Sequence, residues 1–304
     1  MRYRIHHETL YRYSADVFHS HQLLHLVPRP TPYQQCIEHT VRVTPAEHER
    51  RDQVDVFGNP MTRIEIEHPH RRLEVCADMQ VEVYPRPNLP SEDSASWERV
   101  RAALSFHGQP PGHEQLEACR FRQESPYVRI KRIFRHYAAD CFGTGRPLLA
   151  CADALVEKLH ADFRYAPGET AVGTPLLDVL EQRRGVCQDF SHLMIACLRS
   201  LGLAARYVSG YVRGLPRRGQ GELGTATGAG PSADAASHAW VAVYCPPFGW
   251  VELDPTNNTR VSSDHVAVAW GRDFGDVSPL RGTILGGGAH ELRVAVTVAP
   301  MTPS

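Results

Sequence analysis

Apolar and polar positions alternate from the first residues of the chain. Tyr3, Ile5 and His7 alternate with charged neighbours, and Thr9, Tyr11 and Tyr13 keep the period of two, which predicts a strand. The same signal returns at Cys36 to Val43, Gln53 to Phe57, Thr62 to Glu67 and Leu73 to Val83. Turn chemistry separates these runs at Pro28-Arg29-Pro30-Thr31-Pro32, Gly58-Asn59-Pro60 and His68-Pro69-His70, and Asp55 to Pro60 reads as a hairpin tip. Short strands at this spacing predict an antiparallel β-sandwich or small barrel over residues 1–85.

The period changes after Pro85-Arg86-Pro87-Asn88-Leu89-Pro90-Ser91, which reads as a linker opening a helical region over 86–145. Helices are expected at Trp97 to Leu104, Glu114 to Phe121 and Val128 to Ala139, the last entered through Ser125-Pro126. A third region, 146–270, opens with an amphipathic helix from Leu148 to His160, striped by Leu149, Ala152, Leu155, Val156 and Leu159. Thr174 and Pro175 have the residue types of an N-cap and first helical position for the next helix. Phe190, Leu193, Met194, Cys197, Leu198 and Leu201 recur at helical steps behind Gly185-Val186-Cys187, and Gly202 stands where that helix should stop.

Strands are then expected at Ala205 to Val212, Ser237 to Tyr244 and Trp250 to Asp254. Between the first two lies a stretch, 213–236, of Gly, Ala, Ser, Thr, Pro and Arg, mobile by composition. The tail, 271–304, holds a loop, Gly286-Gly287-Gly288 and a strand from Glu291 to Val298 that either sheet could accept.

Composition narrows the partners. At 304 residues with 42% hydrophobic content the chain is long enough for a substantial core, and a formal net charge of −1 gives no reason to expect nucleic acid. No apolar run approaches the roughly eighteen residues of a membrane span, and the polar N-terminus lacks the apolar core of a signal peptide. The eight cysteines are dispersed without a CxxC pair and read as free thiols, which places the expectation in a reducing cytoplasm. Among the seventeen histidines, His19 and His21 share a strand face near His25, but no carboxylate or cysteine is expected nearby to complete a metal site. Neither a metal nor another cofactor is expected.

Cys187 carries the chemistry. At the first turn of a helix, free N–H groups and the positive end of the dipole favour a thiolate. A nucleophilic thiol needs a base, and the base needs a group to orient it. His238 opens one predicted strand, Asp254 closes its neighbour, and a hairpin between the two strands brings both side chains together. Cys187, His238 and Asp254 thus supply nucleophile, base and orienting carboxylate. The Cys187 N–H offers one oxyanion donor, and Gln188 and Tyr165 are candidates for a second. Asp189, two residues into the helix, reads as a cap.

Three segments also resemble a known family. GVCQDFSHL with its apolar helix, SHAWVAVY and GWVELDPTN are similar to the signature segments of transglutaminase-like proteins, a branch of the papain-like cysteine enzymes. Tyr13 to Pro30 resembles the N-terminal region of the bacterial members. The resemblance implies an α+β fold: an antiparallel β domain followed by a papain-like core of helices packed on an antiparallel sheet. It also implies a triad of Cys187, His238 and Asp254, without calcium. The expected activity is acyl transfer from an amide or isopeptide bond of a protein or peptide substrate through a thioester. Water as acceptor makes a peptidase or amidase, the favoured reading; an amine makes a transglutaminase; a silent binding scaffold is the remaining alternative.

Overall fold

A single long strand organises one side of the molecule. The computed structural model describes residues 1–105, 112–214 and 237–301. Strand β1 (Arg2–Leu24) is the spine of a seven-stranded antiparallel sheet with β2 (Gln34–Thr44), β3 (Glu49–Val54), β4 (Pro60–Ile66) and β5 (His70–Val83). The N-terminal half of β1 pairs with β5, and beyond a register shift between Arg12 and Val17 that ladder closes with Val17 opposite His70. Its C-terminal half pairs with β4 from Ser20 to Leu24. β2 lies outside β5, and β3 outside β4, so the sheet curls around β1. Tyr3, Ile5, His7 and Thr9 are buried while their neighbours are more exposed, the period of two expected for a strand with one face on a core.

The helices α1 (Trp97–Ala103), α2 (His113–Cys119), α3 (Arg132–Ala138) and α4 (Leu148–Asp162) follow. Two-residue strand β6 (Arg164–Tyr165), helix α5 (Leu176–Gln182), strand β7 (Arg184–Gly185) and helix α6 (Cys187–Ser200) lead to β8 (Ala205–Val212), β9 (Ser237–Tyr244), β10 (Trp250–Asp254), β11 (Thr259–Arg260) and β12 (His265–Gly271). The last five form an antiparallel sheet in the order β11-β10-β9-β8-β12, with α6 packed on β8 and β9. After the short α7 (Phe274–Val277), β13 (Leu280–Gly286) and β14 (His290–Met301) return to β1. β14 runs beside its N-terminal half, Arg2 opposite Met301, and β13 beside its C-terminal half. The last predicted strand therefore completes the N-terminal sheet.

α6 is buried nearly all round, which explains its continuous apolar stripe. Arg199 is its one buried cation. The guanidinium is satisfied by the carbonyls of Phe121, Gln123, Ala205 and Arg272 and by the Ser125 hydroxyl, so it ties α6 to three surrounding segments. Gly202 ends the helix at φ +82°, a left-handed conformation that favours glycine.

β12 is an edge strand of the second sheet, yet its outer edge is occupied. Gln34 donates to the Ala267 carbonyl and accepts from the Ala267 N–H. Asn59 makes the same pair of bonds with Trp270, and the Arg29 N–H donates to the Val268 carbonyl. Arg29 also stacks on Trp270 at 3.1 Å, with Arg206 on the same ring at 3.7 Å. The N-terminal sheet thus closes an edge that would otherwise present unpaired backbone groups.

Several local boundaries differ from the sequence pattern. The strand expected at 53–57 lies at Glu49–Val54, because Asp55 accepts from the N–H groups of Phe57 and Asn59 and turns the chain there. The helix expected from Val128 begins at Arg132, because Ser125 and Val128 exchange backbone hydrogen bonds in a tight turn. Thr174 is not the N-cap of α5; Pro175 is, and the Thr174 hydroxyl accepts from the Ala171 N–H instead. The composition-based expectation for 213–236 falls outside the described residues beyond Gly214.

Candidate active site

The entry to α6 is built around Gly185. β6 and β7 pair in parallel, Tyr165 beside Gly185, and the Ala166 N–H donates to the Gly185 carbonyl. Asp189, at the third position of the helix, reaches back and accepts from the Val186 N–H at 2.9 Å and from the Thr170 hydroxyl at 2.7 Å. Burial pushes the Asp189 carboxyl up, and those two donors oppose the shift. The carboxylate arm lies over Gly185, where a Cβ would come within 2.7 Å of Asp189 Oδ2. Cys187 is consequently the first residue of α6, half-buried, where backbone N–H groups have no intrahelical acceptor.

β9 and β10 pair so that Leu253 faces Val241, which leaves His238 and Asp254 as diagonal neighbours at the end of the ladder. His238 Nε2 lies 2.8 Å from Asp254 Oδ2. Asn257 Nδ2 also stands 3.3 Å from Nε2. With Nε2 turned to Asp254, Nδ1 is the ring nitrogen left for the Cys187 thiol, which is among the groups that raise the ring. Burial alone would pull the His238 imidazolium down; the charge and hydrogen bond of Asp254, with Cys187, outweigh it and hold the group well above the usual histidine range. Asp254 is fully buried. Burial would raise its carboxyl, but His238 and then His265 hold it well below the usual carboxylate range.

Two further residues complete the surroundings of Asp254. His265 Nε2 stands 3.2 Å from Oδ2, and Asn257 Nδ2 donates to the same oxygen at 2.7 Å. Oδ1 accepts from the N–H groups of Thr256 and Asn257. Asn257 lies in the signature segment, but nothing in the sequence joins His265 to it. His265 reaches the site only because β12 pairs with β8, across the sheet from β10.

The remaining sequence candidates divide. Gln188 follows Cys187, with its amide donating to the Val172 carbonyl at 3.1 Å. Tyr165 lies beside the turn into α6, and its ring meets Phe190 edge-on. His19 and His21 do come together, Nε2 to Nε2 at 2.5 Å. The expectation that no carboxylate stands near them is corrected, because cross-strand register puts Glu65 opposite His21 with an oxygen 3.1 Å from Nδ1. That oxygen faces the nitrogen turned away from His19. His25 is separate and buried, between the Ser278 carbonyl and Asp55. Among the described residues no group of three or more His, Cys, Asp or Glu is disposed to hold a metal ion, and no helix is long and apolar enough to cross a membrane.

Known proteins bear on this arrangement. Residues 3–82 match the bacterial transglutaminase-like N-terminal region, and 135–255 match the transglutaminase-like superfamily. An uncharacterized protein of Mycobacterium tuberculosis is 36% identical over 98% of this chain and 93% of its own, and one of Mycobacterium leprae 31% identical over 98% of each. The crystal structure of a candidate cysteine protease from Cytophaga hutchinsonii superposes with a TM-score of 0.73 at 19% identity, covering all of this chain and 92% of that one. That likeness shows the fold, α+β with a papain-like core. A protein-glutamine gamma-glutamyltransferase of Pseudomonas aeruginosa is 32% identical over 35% of this chain and 15% of its own. With matched regions at both ends and relatives aligned along nearly the whole length, the chain belongs to the bacterial transglutaminase-like proteins, a family of cysteine-dependent enzymes.

Proposed function

We propose that the protein hydrolyses an amide or isopeptide bond of a protein or peptide through a thioester on Cys187. The observation that carries this reading is the 2.8 Å bond between His238 Nε2 and Asp254, which leaves Nδ1 for the thiol. The Cys187 thiol gives its proton to His238 Nδ1, its sulfur attacks the carbonyl carbon, and the developing oxyanion accepts a hydrogen bond from the Cys187 N–H. The second oxyanion donor is Gln188 or Tyr165; Gln188 would have to release Val172. His238 gives its Nδ1 proton to the departing amine, and the acyl group stays on sulfur. Nδ1 then takes a proton from water, which attacks the thioester and releases the acid and the thiol. Such acid–base transfer contributes about 10²–10⁴-fold. Asp254 orients the ring and stabilises the imidazolium.

One observation favours an amine acceptor in the second half-reaction: part of the chain is similar to a protein-glutamine gamma-glutamyltransferase. Incubating the protein with a panel of glutaminyl and isopeptide-linked peptides, with and without a primary amine, separates the acceptors. Acid product without incorporated amine supports hydrolysis, whereas cross-linked product supports transamidation. Failure of Cys187 to form a thioester with any peptide would favour a binding scaffold.

A further inference from the structure

Asp254 Oδ2 accepts from three side chains, more than its own lone pairs need, and two of the three, Asn257 and His265, have no place in the reaction just described. Asn257 is a near neighbour of Asp254 in the chain, whereas His265 is brought in from another strand. Its residue number lies outside both matched regions. Its ring is 1% exposed, packed edge-on against Trp240 at 5.3 Å, with Asp254 and His238 the titratable groups facing it. The Ser262 N–H points at its Nδ1 at 3.3 Å, so Nδ1 is the acceptor and the ring proton sits on Nε2, toward Asp254.

We propose that His265 is a positioning residue: its Nε2–H fixes the Asp254 carboxylate so that His238 keeps Nδ1 turned to Cys187. This rests on the triad reading above. The Thr256 and Asn257 N–H groups anchor Oδ1, but without His265 the other oxygen keeps only a flexible amide and the imidazole it must orient, and rotation about the anchored oxygen is no longer checked. The fold supplies what a lone side chain cannot. β12 carries His265 at its first residue, and Gln34, Arg29 and Asn59 clamp that strand from the N-terminal sheet. The N-terminal sheet therefore sets the geometry of a site to which it gives no reacting group.

Two measurements test this. Imidazole ¹⁵N spectra of the native protein should show the His265 ring proton on Nε2, the resonance being assigned by its loss in His265→Gln. A proton on Nδ1 overturns the proposal. The second is the rate of Cys187 alkylation by iodoacetamide from pH 5 to 10. The native rate should hold a plateau through neutral pH, as a thiolate–imidazolium pair does. In His265→Phe the rate at pH 6 should fall at least tenfold and the plateau should be lost. In His265→Gln, which keeps an N–H donor, it should stay within about threefold of native, a recovery that lost packing alone would not give. A plateau kept in His265→Phe, or a loss in His265→Gln as deep as in His265→Phe, refutes the role of His265 and leaves the triad standing. A native Cys187 that titrates as an ordinary thiol sinks the triad, and this proposal with it.

Discussion

Gln34 pairs with Ala267 as a strand would, donating to its carbonyl at 2.6 Å and accepting from its N–H at 2.8 Å. Both groups are buried, so removing the amide leaves a donor and an acceptor of β12 without partners. Each such orphan costs about 1–3 kcal/mol. Gln34→Leu, close to the same size, should lower the unfolding free energy by about 2–4 kcal/mol in urea titrations. A loss within about 0.5 kcal/mol, the range of an ordinary surface change, would mean the clamp is not structural.

Asp254→Asn keeps the shape of the side chain and removes its charge. The amide has one acceptor oxygen where the carboxylate accepts five hydrogen bonds, so His238 loses its fixed tautomer. Thioester formation with an activated acyl donor should slow by about 10²–10⁴-fold while near-native circular dichroism persists. Stopped-flow acylation at neutral pH measures it, and an unchanged rate would remove Asp254 from the mechanism.

Gly185→Ala places a methyl group within 2.7 Å of Asp189 Oδ2 and 2.8 Å of its Cβ. Asp189 must shift, releasing the Val186 N–H and the Thr170 hydroxyl. Overpacking of this kind costs about 1–3 kcal/mol. Thermal denaturation should show the loss, and iodoacetamide labelling should show slower reaction at Cys187 because the first turn of α6 is no longer held.

Acid should destabilise the protein well above the carboxylate range. His7 is buried between the Tyr211 and Thr9 hydroxyls, and burial, with His6, lowers it to about 4. His192 accepts from the Phe274 N–H, and burial, with Arg199, lowers it to about 3. Both folded values lie below the unfolded value of about 6.5. Their stabilisation is therefore complete above pH 6.5 and is lost as pH falls toward 4 and 3. Each group adds a slope of about 1.4 kcal/mol per pH unit in that window. Urea midpoints measured from pH 7 to 4.5 should fall steeply, and His7→Gln should remove about half of the slope. A flat profile would show that neither histidine is forced to stay neutral.

The placement of the candidate residues was legible wherever it depended on local pattern. Cys187 behind a glycine and ahead of an apolar stripe marks a helix start, and a hairpin needs only a turn between two strands to bring His238 to Asp254. Register between distant strands left no such mark. Glu65 reaches His21, and His265 reaches Asp254, through pairings that no spacing in the sequence encodes. Gln34, just ahead of a predicted strand, and Asn59, in a predicted turn, read as ordinary residues, because a side-chain amide standing in for a strand has no periodicity.

The return of β14 to β1 makes the molecule a closed circuit. The strand that starts the chain keeps one flank bare until the final strands have been made, and every residue of the candidate active site lies between the two events. The N-terminal sheet is thus no module that could fold first and wait, for it is finished only after the part it clamps. Contacts between strands so far apart in sequence carry a large loop-closure cost, so this protein should reach its native state slowly. An exposed flank on β1 during that interval is the surface on which a second copy would misassemble.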